Sequence, residues 1–236
     1  DLTNRKVVGA EAMIRWLHTQ KGMVPPDKFI SISEESGLII DINKWVIETA
    51  CKQNAAWINA GYGPVKIAVN LSGYQLARQN IVSFLRESLD KYHLDPGCLE
   101  VEITESVLMQ QSSDTLAILQ EIKDMQITIA LDDFGTGYSS LAYLTAFHVD
   151  TLKIDRSFIM GATLQKNNLV IIKAIIAMGN SMGMKIVAEG IETEEQLELL
   201  RDFGVHEGQG YLFKPPVPQE KFIGLLPQKT LLQQYA

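Results

Sequence analysis

The sequence predicts an α/β fold, a TIM-like (β/α)8 barrel, from three observations. Strand-like and helical segments alternate along the chain, which implies a parallel sheet. The length of 236 residues falls within the roughly 200–250 that a single α/β barrel takes. Polar side chains close nearly every strand, as in barrels, whereas an open doubly wound sheet gathers its functional residues near one switch point. Composition is that of a globular protein, 46% hydrophobic and 21% charged. Folding at this size buries roughly 70–75% of the unfolded chain's surface, so the core needs no metal or disulfide staple.

The expected strands are Val7–Ile14, Val65–Asn70, Leu99–Thr104, Ile127–Leu131, Thr151–Ile154, Lys185–Ala188 and Gln209–Phe213. Most are short, β-branched and apolar, the pattern of strands buried on both faces. Between them, Pro25–Ser36 opens with prolines suited to a first helical turn and stops at Gly37. Asp41–Ala60 follows, with Asp41 as its N-cap and Gly61 as its stop. Further helices are expected at Ile81–Tyr92, Ser113–Met125, Asn167–Met182, Glu194–Phe203 and Pro218–Leu225. No low-complexity linker or shift of composition divides the chain, so residues 1–236 read as one domain. Seven strands are visible, and an eighth is expected before Asp1. A first residue other than Met marks the chain as a fragment of a longer protein.

Acidic residues outnumber basic ones 28 to 21, giving a net charge of -7. That disfavours duplex nucleic acid as a partner. It also means that a phosphate ligand needs local cations, either Lys and Arg or bound metal. Cys51 and Cys98 lie far apart and form no metal or redox motif, so they read as buried free thiols in a reducing, cytoplasmic setting. The longest apolar helix, Leu169 to Met184, is interrupted by Lys173 and Asn180 and is too short to span a bilayer. No signal peptide is present.

The strand ends carry an oxygen-rich set: Glu11, Asn70, Glu102, Asp132 and Asp133, with Glu189 after the sixth strand. Oxygen donors without histidine suit hard cations such as Mg²⁺ and Mn²⁺. The four histidines, His18, His93, His148 and His206, have no zinc-like spacing. Neighbours in a strand face opposite ways, so Asp132 and Asp133 can serve one site only where the strand gives way to the Phe134–Gly137 loop. Two ions roughly 3.5–4 Å apart clamp the attacking and leaving oxygens of a phosphodiester. Any one of these carboxylates alone would be read as a helix cap or surface charge; five on apolar strands would not.

Glu11, Met13 and Arg15 should share one face of the first strand, with Arg15 about 13 Å beyond Glu11 and suited to phosphate oxygens; alone, Arg15 reads as a surface ion-pair residue. Lys153 ends a buried strand and needs carboxylates or metal-bound water to face. It is placed to orient or deprotonate an attacking water. Asp133-Phe134-Gly135 echoes the kinase magnesium motif, and Gly135-Thr136-Gly137 a dinucleotide loop, but neither has its required context.

These residues, in this order, resemble the EAL domain, the bacterial phosphodiesterase of cyclic di-GMP. The resemblance runs through Glu11–Trp16, Pro25-Pro26, Val69–Ser72, Glu102–Ser106, Asp132–Ser140, Leu152–Asp155, Ala188–Glu192 and Gln209–Tyr211. It implies a TIM-like barrel whose antiparallel first strand is missing or truncated at the N-terminus. It also implies hydrolysis of cyclic di-GMP to linear 5′-pGpG with two Mg²⁺ or Mn²⁺ ions. Glu11, Asn70, Glu102 and Asp132 then hold the first metal, and Asp132 and Asp133 the second, with Glu189 close to it. Lys153 activates the water, Arg15 and Gln209 contact substrate, and Glu105 holds the loop after Asp133. That carboxylate is expected to accept from Thr136, Tyr138 or the Ser139-Ser140 pair.

Met13 stands where the family has Leu, a volume-conserving change that commonly costs under about 1.5 kcal/mol. Ser31 and Ser33 also depart from the pattern, on a helix away from the chemistry. The alternatives are a receptor module that binds cyclic di-GMP without turnover and an interaction domain with a vestigial site. Both typically lack ligands that this chain keeps. A homodimer is expected through Ser139–Phe147, which carries Leu141, Tyr143, Leu144 and Phe147; the competing reading packs these side chains into the outer core. Sensor or cyclase domains are expected upstream in a parent protein that a membrane anchors in some architectures.

Overall fold

A computed structural model describes residues 1–78, 81–109, 113–135, 144, 147, 149–160 and 166–226. Seven short strands run parallel: β1 (Gly9–Glu11), β4 (Lys66–Asn70), β5 (Leu99–Thr104), β6 (Thr128–Phe134), β7 (Thr151–Ile154), β8 (Lys185–Ala188) and β9 (Glu207–Gly208), with β-branched residues in all but β1 and β9. They pair in that order and curl into a half-barrel, the TIM-like architecture that the alternation predicts. β2 (Trp16–His18) and β3 (Gly22–Val24) form a separate antiparallel hairpin. All pairings in the main sheet are parallel, and its edges are β1 and β9. Leu2, fully buried, donates its N–H to the His206 carbonyl at 3.0 Å beside the β9 edge.

Each strand is two-faced. Ile67, Val69, Val101, Ile129, Leu152 and Ile186 are almost completely buried against helices. Helix Lys166–Ser181 comes so close that a Cβ on Gly179 would lie 2.3 Å from Ile186 Cδ1. The other face is polar. At the N-terminal end of the strands, Glu100 Oε2 accepts from Thr128 Oγ1 at 3.0 Å and Thr151 Oγ1 at 2.9 Å, and Lys66 Nζ lies 3.5 Å away. The strands are therefore not apolar on both faces. The period-two alternation in Lys66–Asn70 and Leu99–Thr104 aims one set of side chains into the barrel.

Helix Ile39–Asn59 buries Ile47, Ala50, Cys51, Asn54 and Trp57, a stripe at helical spacing. It begins before the expected Asp41, directly after the left-handed break at Gly37. The expected first strand, Val7–Ile14, shortens to Gly9–Glu11. Ala12 still donates to the Ala68 carbonyl at 2.8 Å, and then the chain leaves the sheet for the hairpin. The expected last strand, Gln209–Phe213, is instead a turn, because Gly210 packs directly on the Ile191 backbone. Leu144 and Phe147 are buried in the core, which assigns these two to packing; the rest of Ser139–Phe147 lies outside the described residues. Among the described residues no helix is long and apolar enough to cross a membrane.

Candidate active site

Side chains from five strands of the sheet converge at one ammonium. Lys153, from β7, is only 3% exposed. Its Nζ lies 2.7 Å from Glu102 Oε1 on β5, 2.7 Å from Glu189 Oε1 after β8, 3.3 Å from Asp132 Oδ1 on β6 and 3.7 Å from Glu11 Oε2 on β1. These contacts are ion pairs. Register sets the geometry: Leu131 pairs with Leu152, so Asp132 and Lys153 lie level, whereas Lys153 pairs with Val187 and Glu189 stands two residues further along on the same face.

Asn70 joins two of the carboxylates. Its Nδ2 donates to Glu11 Oε1 at 2.8 Å and to Glu102 Oε2 at 3.1 Å. Gln209 Nε2 holds the other Glu11 oxygen at 2.8 Å. Glu11 is fixed from both sides. Burial works against its ionisation, yet Lys153 and these two amides outweigh burial and hold its carboxyl below the usual range. Glu102 shows the opposite outcome. Burial, reinforced by Glu11 and Asp132, raises it well above the usual range despite Lys153. Burial likewise pushes Glu189 up to about 7. Burial would lower Lys153, but Glu102, Glu11, Glu189 and Asp132 raise it well above its ordinary value, so it stays charged.

Asp132 and Asp133 reach one site by a route the sequence did not suggest. The strand does not end before them but runs on to Phe134, with a register shift between Leu131 and Phe134 and Asp133 in the left-handed region at φ 55. A bulge of this kind re-aims a side chain, and a left-handed non-glycine residue stores strain that its surroundings must hold. Burial, then Asp132 and Asp155, raise the Asp133 carboxyl. Asp132, Asp133 and Glu189 each offer an oxygen within 4.8 Å of the others. Glu105 accepts the Gly135 N–H at 3.2 Å; the other expected donors, Thr136, Tyr138, Ser139 and Ser140, lie outside the described residues.

Two residues expected at or just beyond strand ends stand apart. Arg15 is exposed, with its guanidinium donating to the Ile14 carbonyl at 2.8 Å, so it does not share a strand face with Glu11. Asp155 accepts from the Ser157 N–H at 3.0 Å and caps helix Arg156–Met160. Sequence reasoning overlooked this short helix and those at Gly73–Arg78 and Glu105–Met109, which are too brief to show a period.

The donor set fits a hard divalent cation. Four carboxylates face a single ammonium in a buried space with no histidine among them, an excess of negative charge that is costly unless a further cation shares it.

The EAL domain family matches residues 1–216 of the chain. This chain belongs to that family. The EAL chain is 41% identical over 220 residues to the bifunctional diguanylate cyclase/cyclic di-GMP phosphodiesterase MucR of Pseudomonas aeruginosa, covering 93% of this chain and 32% of MucR. It is 39% identical over 217 residues to the cyclic di-GMP phosphodiesterase NbdA of the same organism, covering 92% and 28%. The chain thus spans about a third of the length of these relatives. A structure of the MucR phosphodiesterase in complex with c-di-GMP matches with a TM-score of 0.88 at 41% identity, covering 91% of this chain and 87% of that one. The EAL motifs lie where the fold gathers its carboxylates.

Proposed function

We propose that this EAL domain hydrolyses one phosphodiester bond of cyclic di-GMP, releasing linear 5′-pGpG. The observation that carries the reading is the buried Lys153 ammonium among Glu11, Glu102, Asp132 and Glu189, in a chain whose relatives bear cyclic di-GMP phosphodiesterase names. Two Mg²⁺ or Mn²⁺ ions, when bound, supply Lewis-acid polarisation of the phosphate and lower the pKa of a water. Glu11, Asn70, Glu102 and Asp132 hold the first, and Asp132 and Asp133 the second, with Glu189 beside it.

The chain's own residues do the rest. Asn70 and Gln209 fix the Glu11 carboxylate so that its lone pairs point to one place. Lys153 balances the carboxylates and orients the attacking water from the strand floor. Arg15, exposed at the rim, takes a phosphate oxygen, and Gln209 contacts the nucleotide. Glu105 steadies the loop that follows Asp133. In the parent protein, sensor or cyclase domains precede this unit, which pairs as a homodimer.

Incubation with cyclic di-GMP and Mg²⁺ or Mn²⁺, followed by nucleotide separation, tests the reading. A product of linear pGpG that disappears with EDTA is expected. Tight binding without turnover would make the domain a receptor instead.

A further inference from the structure

Gln196 lies behind the site, on helix Glu194–Asp202, with its side chain buried. Its Oε1 accepts the N–H of Glu192 at 2.7 Å and of Thr193 at 3.1 Å. With Thr193 Oγ1 accepting the Gln196 N–H, these bonds form a capping box. The remaining bond leaves the helix: Nε2 donates to the Ile159 carbonyl at 3.3 Å. Ile159 belongs to Arg156–Met160, the helix that follows the Lys153 strand. One amide therefore ties the connection after Glu189 to the connection after Lys153.

A second contact joins the same two connections. Gly190, next to Glu189, has φ +70 and presses on Arg156 so closely that a Cβ would lie 2.6 Å from Arg156 Cβ. The Glu189 N–H meanwhile donates to the Ile154 carbonyl at 3.1 Å. In front of these contacts, Lys153 Nζ and Glu189 Oε1 stand 2.7 Å apart. We propose that Gln196 is a positioning residue, whose amide clasps the two connections and holds Lys153 and Glu189 in register for the reaction. The catalytic consequence rests on the hydrolase reading; the clasp itself does not.

The chemistry calls for glutamine specifically. A capping box needs only an acceptor here, and Glu serves it equally well. The bridge to Ile159 needs a donor, which an ionised carboxylate lacks. Gln196→Glu at pH 8 therefore keeps the cap and breaks the bridge, while Gln196→Met removes both. Asn54→Leu is the control, because Asn54 is also a buried amide bonded to a carbonyl, that of Val65 at 2.7 Å, at the opposite end of the strands.

The test combines steady-state hydrolysis of cyclic di-GMP with amide hydrogen exchange on the metal-free protein. Gln196→Glu should lower kcat about tenfold with KM within twofold, the mark of misplacement rather than lost binding. Exchange should accelerate across residues 154–160 as well as 189–193. Gln196→Met should do both more strongly, and Asn54→Leu should lose stability without either effect. Wild-type kcat, or wild-type exchange over 154–160, in Gln196→Glu would overturn the clasp and leave Gln196 a helix cap. Because exchange needs no substrate, a wild-type chain without turnover overturns the hydrolase reading alone and leaves exchange to decide the clasp.

Discussion

The Glu105 carboxylate accepts the backbone N–H of Gly135 at 3.2 Å. Glu105 begins the helix directly after Thr104, whose partner across the sheet is Asp132. The bond thus ties the end of β5 to the residue three beyond Asp132, across an Asp133 held at φ 55. Glu105→Ala strips the acceptor from that N–H, a loss of about 1–3 kcal/mol if the group stays buried. The Mg²⁺ titration of activity should move to higher concentration, with kcat reduced tenfold or more. Glu105→Gln keeps an acceptor and should lose less. An unchanged Mg²⁺ dependence in Glu105→Ala would sink the tether.

Lys153 stands to lose more. It is the only ammonium within reach of Glu11, Glu102, Asp132 and Glu189 among the described residues. Lys153→Met should cut the rate by roughly 10²–10⁴, the usual worth of a group acting on a proton in the transition state. Affinity for a non-hydrolysable thiophosphate analogue should stay within a few-fold. Arg15→Ala should show the reverse, weakened affinity with a preserved kcat. If the two variants exchange these patterns, their roles have been assigned the wrong way round.

Much of this was legible in the sequence because burial and chemistry leave different marks. Leu152-Lys153-Ile154 shows a lysine inside a buried strand, and that alone demanded carboxylates nearby. The Asp132-Asp133 pair was legible, but its bulge was not, since a left-handed φ at a non-glycine residue leaves no signature in composition. The polar floor of Lys66, Glu100, Thr128 and Thr151 was hidden by the search for apolar runs, though the alternation was present. Arg15 was misplaced because the period-two rule holds only within a strand, and β1 ends at Glu11. The tie from Gln196 to Ile159 joins residues 37 apart in the chain, a distance no local pattern reports.

Asn70 separates two carboxylates with a single amide. Asn70→Ala removes both hydrogen bonds, and Asn70→Asp places a third carboxylate between Glu11 and Glu102. Turnover should be lost in both. In EDTA at pH 8 the Asp variant should be the less stable of the two in urea, because like charges add to the missing bonds. Equal urea midpoints for the two would show that Asn70 does not manage charge here.

The two cysteines should resist modification in the folded protein. Burial pushes the Cys51 thiol up to about 11 and raises Cys98 as well, so little thiolate exists at neutral pH. Iodoacetamide at pH 7.5 should label both only in denaturant. Labelling of Cys51 at a native rate like that of a free thiol would contradict its placement in the core.

The last expectation concerns pH and metal together. Burial holds the folded Glu189 carboxyl at about 7, against an unfolded value near 4.3. A carboxyl raised by folding binds its proton more tightly in the native state. Its contribution to stability is therefore complete below about pH 4.3 and is lost as the pH rises toward 7. The shift corresponds to a few kcal/mol, on the order of 3 at full effect. Glu189→Gln carries no such proton, so in EDTA its stability relative to wild type should improve as the pH goes from 5 to 7.5. Taking the difference between the two proteins cancels the titration of unaltered groups elsewhere. A divalent cation supplies the positive charge that the ionised carboxylate lacks, so saturating Mg²⁺ should flatten the wild-type loss over the same range. Urea midpoints at pH 5, 6, 7 and 7.5, with and without Mg²⁺, measure both effects. A difference between the proteins that stays constant with pH would mean that Glu189 is ionised throughout, and that burial does not govern it.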